Sequence, residues 1–168
     1  MNDAELRQCF SQIRRGDRGA FEALYADLQT PVFTVLLRIV QEQAEAEDLL
    51  QDFFIKLYQD PPGDRVAKPR AYLFQSARNL ALDSLRKRRP ALDIDQYPPP
   101  MAETDPAERL DLERALQTLT DLERQIVALH LNGGLTFRQT AEIVQAPLGS
   151  VLWKYRRALD KLRAQLAD

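Results

Sequence analysis

One cysteine, one histidine and one tryptophan in 168 residues leave little room for several kinds of chemistry. Cys9 cannot close an internal disulfide and has no second thiol to pair with as a metal ligand, so a redox or zinc framework is excluded and packing beside Phe10 is its expected role. His130 lies in a leucine-rich stretch without ligand partners and reads as structural. No apolar run approaches the ~20 residues needed to cross a bilayer. The first residues, MNDAELRQCF, contain no apolar signal core, so the expected location is the cytoplasm, with no membrane insertion. There is no glycine-rich phosphate loop, no long repeat and no strand alternation. No metal or cofactor is called for, and no catalytic constellation is present, so the chain is not expected to be an enzyme.

What remains is helical. The chain reads as all-α: two small helical domains, 1–89 and 107–168, joined by an acidic, proline-rich linker at 90–106 (PALDIDQYPPPMAETDP), with a helix-turn-helix in the second. Leu6, Phe10 and Ile13 stand at helical spacing over 4–15, with Gly16 as the stop. Asp17 can cap a second helix with Phe21, Leu24, Tyr25 and Leu28 inside. Thr30 and Pro31 read as an N-cap and a first-turn proline opening a third, with Phe33, Leu36, Leu37 and Val40 inside. Residues 44–59 form another, with Leu50, Phe53, Phe54, Leu57 and Tyr58 on its apolar stripe. Residues 60–68, DPPGDRVAK, form a loop, after which Pro69 opens PRAYLFQSARNLALDSLRKRR. Beyond the linker, Asp105, Pro106 and Glu108 open a helix carrying Leu112, Ala115, Leu116 and Leu119. Thr120 and Glu123 form a capping box before Ile126, Val127, Leu129 and Leu131, with Gly133 or Gly134 as the stop.

The net charge of −2 conceals a strong segregation. Cations crowd 65–89 and 154–163, with an acidic stretch between, a pattern that suggests two contacts with a polyanion by a chain too acidic to bind tightly alone. Thr136 and Gln139 form another capping box, and Pro147 forces a turn at 145–147 before a longer basic helix. On that helix Val151, Tyr155, Ala158 and Leu162 fall on one stripe, with Ser150, Trp153 and Arg157 opposite and Lys154 and Arg156 on the flanks. Such a helix suits a major groove; an ordinary helical hairpin with a solvated basic face is the alternative. In 69–89, Tyr72 and Phe74 interleave with cations, which suits stacking on single-stranded bases or, equally, core aromatics with a basic rim. Glu47, Asp48, Gln51 and Asp52 share one face, either solvated or a docking surface for a basic partner.

These stretches resemble the extracytoplasmic function (ECF) branch of the sigma-70 family. AEDLLQDFFIKLY resembles the family's AED-hydrophobic-hydrophobic-Q motif. RAYLFQSARNLALDSLRKRR is similar to the segment that opens and reads the minus-ten element, and LTDLERQIVALHLNGGLTFRQTAEIV with GSVLWKYRRALDKLR to the domain that reads the minus-thirty-five element. Members commonly carry tryptophan where this chain has Tyr72, glycine at Gln145, a polar cap at Pro147, and small or cationic residues at Leu152 and Trp153. The resemblance implies a non-catalytic promoter-specificity factor whose partners are core RNA polymerase, promoter DNA and an anti-sigma factor. It implies polymerase contacts at Glu47, Asp48, Gln51 and Asp52. It implies DNA contacts at Lys68, Arg78, Asn79, Arg86 and Lys87 in the first domain, and at Arg138, Ser150, Trp153, Lys154, Arg156 and Arg157 in the second. A stand-alone helix-turn-helix regulator that binds a palindromic duplex is the rival reading.

Overall fold

A computed structural model describes residues 1–88 and 106–167, which are helical with no strand among them. The chain divides into two compact units, Met1–Gln96 and Tyr97–Asp168. The acidic linker expected at 90–106 lies outside the described residues except for Pro106, as do Arg89 and the expected cap Asp105.

In the first unit, α1 (Asp3–Arg14) is opened by a reciprocal capping box: Asn2 Oδ1 accepts from Glu5 N at 2.9 Å and Glu5 Oε2 from Asn2 N at 2.8 Å. Leu6, Cys9, Phe10 and Ile13 bury one stripe, and Gly16 ends the element at φ +87°, a left-handed conformation that glycine adopts freely. The Cys9 thiol donates to Ala20 O at 3.1 Å, and burial, helped by the nearby Asp17 carboxylate, pushes its pKa up. It is a packing residue, as expected.

The next two expected helices are one. α2 (Arg18–Val40) runs through Pro31 without a break. A proline in a helix interior has no N–H for the preceding turn and crowds its carbonyl. Leu28, Val32, Val35 and Leu36, all fully buried around it, hold the helix on α1, α3 (Gln43–Gln59) and α4 (Pro69–Arg88) and override that preference. The merger also makes α2, by length and composition alone, apolar enough to cross a membrane, with mean hydropathy 1.3 in its best window. The sequence expectation of no such run is corrected here: joining the two segments creates it, and α2 is the central core helix of this unit.

α3 buries Ala46, Leu49, Leu50, Phe53, Phe54 and Leu57 and leaves Tyr58 on the rim. α4 buries Pro69, Leu73, Phe74, Ala77 and Ala81.

In the second unit, α5 (Pro106–Gln117) and α6 (Asp121–Val127) brace α8 (Leu148–Leu166), with Leu116, Leu119, Val127 and Ala158 in a core that Tyr155 and Leu162 complete. Arg124 is buried because it closes the end of α5, donating to Leu119 O at 2.8 Å and pairing with Asp121. Where an α-helix was expected to continue, Ala128–Asn132 is a π-helical stretch, closed by Gly133 N donating to Ala128 O at 2.9 Å. The wider turn rotates the register, so Leu131 points to solvent rather than into the core. A Cβ on Gly133 would meet Leu129 O at 2.5 Å, so the close approach requires glycine. Leu112, expected inside, is also exposed.

Candidate nucleic-acid interface and acidic docking face

α7 (Phe137–Val144) starts at the predicted box, with Gln139 N donating to Thr136 Oγ1 at 3.1 Å and Thr136 N to Gln139 Oε1 at 3.0 Å. Its end is set by Gln145, held left-handed at φ 57°, a conformation unusual for a residue with a Cβ. Pro147 then takes the cap position of α8 with extended backbone. The two helices and this turn form the expected helix-turn-helix.

Val151 and Ala158 are fully buried beneath α8, while Trp153 on the far side is 58% exposed. Arg157 places its guanidinium 5.3 Å from the centre of the Trp153 ring, and the Lys154 ammonium lies 5.9 Å from it. The outer face is therefore an aromatic plate edged by two cations. Arg138, Arg156 and Arg157 are exposed; Ser150 and Lys154 are half-buried. An open groove of about 580 Å³ follows the turn, with Arg138, Glu142, Gln145 and Pro147 along it. His130 belongs to the scaffold beneath. Its ring stacks on Phe137 at 3.8 Å, Nδ1 lies 2.8 Å from Leu135 O, and Tyr155 packs edge-on to both rings.

In the first unit the open question about the two aromatics resolves one each way. Phe74 is in the core, with the Arg70 guanidinium 5.3 Å over its ring, whereas Tyr72 is 45% exposed. Lys68 stands just before α4 and is exposed, and its carbonyl accepts from Tyr72 N at 3.0 Å, so the two residues share the first turn. Asn79, Arg86 and Lys87 are also exposed. Arg78 is half-buried, and that burial pulls its pKa below the ordinary value; much of its side chain packs against the unit. Arg86 pairs with Asp83 at 3.1 Å.

The end of α4 is tied down in a way the sequence reading missed. Ser84 and Arg88 both donate to Glu45, and Arg88 lies 3.7 Å from Glu42. These two carboxylates, at the start of α3, neutralise one of the cations counted in the basic block. Lone glutamates near a helix start carry no sequence signal of such a distant pairing.

Glu47, Asp48, Gln51 and Asp52 are all exposed along α3, and Glu47 accepts from Gln43 Nε2 at 2.8 Å. Gln51 also borders an apolar groove of about 400 Å³ formed by Phe21, Tyr25, Phe54, Ile55 and Tyr58. Tyr25 and Tyr58, expected inside, are 39% and 45% exposed here. The signal available in the sequence was their i, i+4 pairing with Phe21 and Phe54, which puts more aromatic area on each helix than one core stripe takes. Among the described residues no cluster of His, Cys, Asp and Glu could hold a metal ion.

The family profile for Sigma-70 region 2 matches residues 24–91, and that for Sigma-70, region 4 matches 115–164. The chain is 26% identical to the ECF RNA polymerase sigma factor SigW of Bacillus subtilis, over 97% of each chain. It is 29% identical to ECF RNA polymerase sigma factor RpoE of Cereibacter sphaeroides, over 90% of this chain and 88% of that one. Among solved structures it resembles the sigma factor RpoE of Bartonella quintana, crystallised with the anti-sigma factor NepR, with a TM-score of 0.72 at 22% identity over 88% and 96% of the two chains. It also resembles CnrH in complex with the cytosolic domain of CnrY, with a TM-score of 0.67 at 23% identity over 97% of each.

Proposed function

The chain belongs to the sigma-70 family, as an RNA polymerase sigma factor of the ECF type, and from that premise we propose how its surfaces divide the work of promoter-specific initiation. Residues 1–89 act as the region that docks on core RNA polymerase and holds the minus-ten element. Residues 90–106 act as a linker, and 107–168 as the domain that reads the minus-thirty-five element.

The observation that carries this reading is the α3 face. Glu47, Asp48, Gln51 and Asp52 stand exposed beside an apolar groove, in a chain that also holds a separate helix-turn-helix. A stand-alone duplex-binding regulator has no use for such a face. A cationic helical surface on the polymerase would pair with the acids and lay apolar side chains on Tyr25, Ile55 and Tyr58.

Lys68, Arg78, Asn79, Arg86 and Lys87 then follow the opened strand, with Tyr72 offering a ring to an unstacked base. Arg138, Ser150, Trp153, Lys154, Arg156 and Arg157 meet the upstream duplex, the cations at phosphates or guanine edges. Two weak contacts mounted on one polymerase gain from effective concentration, so neither need be tight alone, which accounts for a DNA-binding chain of net charge −2. The protein works by binding in the cytoplasm, without catalysing a reaction of its own. An anti-sigma factor that covers these same surfaces would hold it inactive.

The test is co-purification with core RNA polymerase followed by transcription from a pool of promoter fragments. Selective initiation is expected. Failure to bind core, together with tight binding to a palindromic duplex, would move the assignment to the stand-alone regulator.

A further inference from the structure

Helix α1 lies before the matched sigma region, yet it grips the loop that leads into the basic helix. Arg14 donates through one nitrogen to Pro62 O and through the other to Asp64 Oδ1. Arg7 donates to Ala67 O. Asp3 Oδ1 accepts from Arg70 N at 3.0 Å, satisfying one of the unpaired N–H groups in the first turn of α4. Positions 3, 7 and 14 fall within roughly 40° of one another around a helix. They form a stripe separate from the buried one of Leu6, Cys9, Phe10 and Ile13.

A stripe of three side chains thus fixes four points within residues 62–70. Pro62 and Pro69 are buried at its two ends and Val66 N donates to Gly63 O at 3.3 Å, but between those ends Gly63, Asp64, Arg65, Ala67 and Lys68 are all exposed and take no hold from the core. An ion pair this open contributes little to stability. Its geometric effect is larger, because a guanidinium fork that spans a carbonyl and a carboxylate sets both at once. Lys68 sits between the anchors at Ala67 and Arg70, and Tyr72 follows one turn on.

We propose that α1 is a positioning clamp for promoter reading: Asp3, Arg7 and Arg14, without touching DNA, hold the 62–70 segment so that Arg65, Lys68 and Tyr72 meet the downstream element in one geometry. This rests on the sigma reading above and adds a determinant of promoter selectivity outside the DNA-contacting surface.

The experiment uses holoenzyme assembled from core RNA polymerase and the full chain, either unsubstituted or carrying Arg7→Ala with Arg14→Ala, on fragments randomised at the downstream element. The double variant should bind core and unfold thermally like its parent. Amide hydrogens of residues 63–68 should exchange faster, and discrimination among downstream elements should fall roughly twofold to thirtyfold. Arg14→Lys, which keeps the charge but not the fork, should not restore it. Asp64→Ala, which leaves α1 intact, should shift selectivity in the same direction and decides the matter if the double variant does not fold. Unchanged exchange, or unchanged selectivity in a folded variant, overturns the clamp. Failure of the unsubstituted chain to initiate with core polymerase is a different result, and it removes the reading on which the clamp depends.

Discussion

Lys161 Nζ donates to Glu123 Oε1 at 2.8 Å, fastening the C-terminal half of α8 to the first turn of α6. Desolvation of the buried Glu123 carboxyl pushes its pKa up, but the hydrogen bonds from Lys161 and Thr120 and the ammonium charge outweigh it and hold the pKa below the ordinary value near 4.5. A carboxyl protonated more readily in the unfolded chain stabilises the fold at pH above its ordinary pKa, and that contribution is lost as pH falls through the lowered value. The thermal stability of the second unit should therefore fall in acid, and Glu123→Gln should remove part of that slope. Lys161→Ala, which strands a buried carboxylate, should cost about 2 kcal/mol at neutral pH.

Pro31 offers a second test of what holds the fold together. It removes one helical hydrogen bond from the middle of α2, and packing of Leu28, Val32 and Val35 holds the helix in spite of it. Pro31→Ala should restore the bond and raise stability to chemical denaturation by about 1 to 3 kcal/mol. A loss of stability would mean that the packing of the Pro31 ring, or its restriction of the unfolded chain, outweighs the missing bond.

Asp48 separates docking from folding. It is exposed on α3 and has no part in the core. Asp48→Arg should leave circular dichroism and melting unchanged while abolishing co-purification with core polymerase. A folded variant that binds core normally would remove the α3 face from the docking surface.

Local signals in this chain were readable because they act over three or four residues. The capping boxes Thr120/Glu123 and Thr136/Gln139, the stop at Gly16 and the Val151/Ala158 stripe all stand where the sequence indicates. What was not readable depends on distant partners or on a change of helical pitch. Pro31 reads as a helix start, and only burial on three neighbouring helices overrides it. Leu131 looks apolar and inward until the π turn shifts the register. Phe74 and Tyr72 are alike in sequence, and only packing sends one to the core and the other to solvent. The pairing of Glu45 with Ser84 and Arg88, and the grip of α1 on residues 62–70, join side chains tens of residues apart.

Arg157 and Trp153 can be told apart by what each loses. Arg157→Glu should spare core binding and abolish recognition of the upstream element, since it puts a negative charge against DNA. Arg157→Ala then reports the contact itself. If the guanidinium meets a phosphate, affinity should fall for all sequences and the salt dependence should become shallower by about one counterion; if it reads a base, about 1 to 3 kcal/mol of discrimination should vanish at one position. Trp153 presents a ring rather than a charge, so Trp153→Ala should lower affinity with little change in salt dependence, and Trp153→Phe should recover part of it. Unchanged upstream-element affinity in Trp153→Ala would leave the ring no role at the DNA.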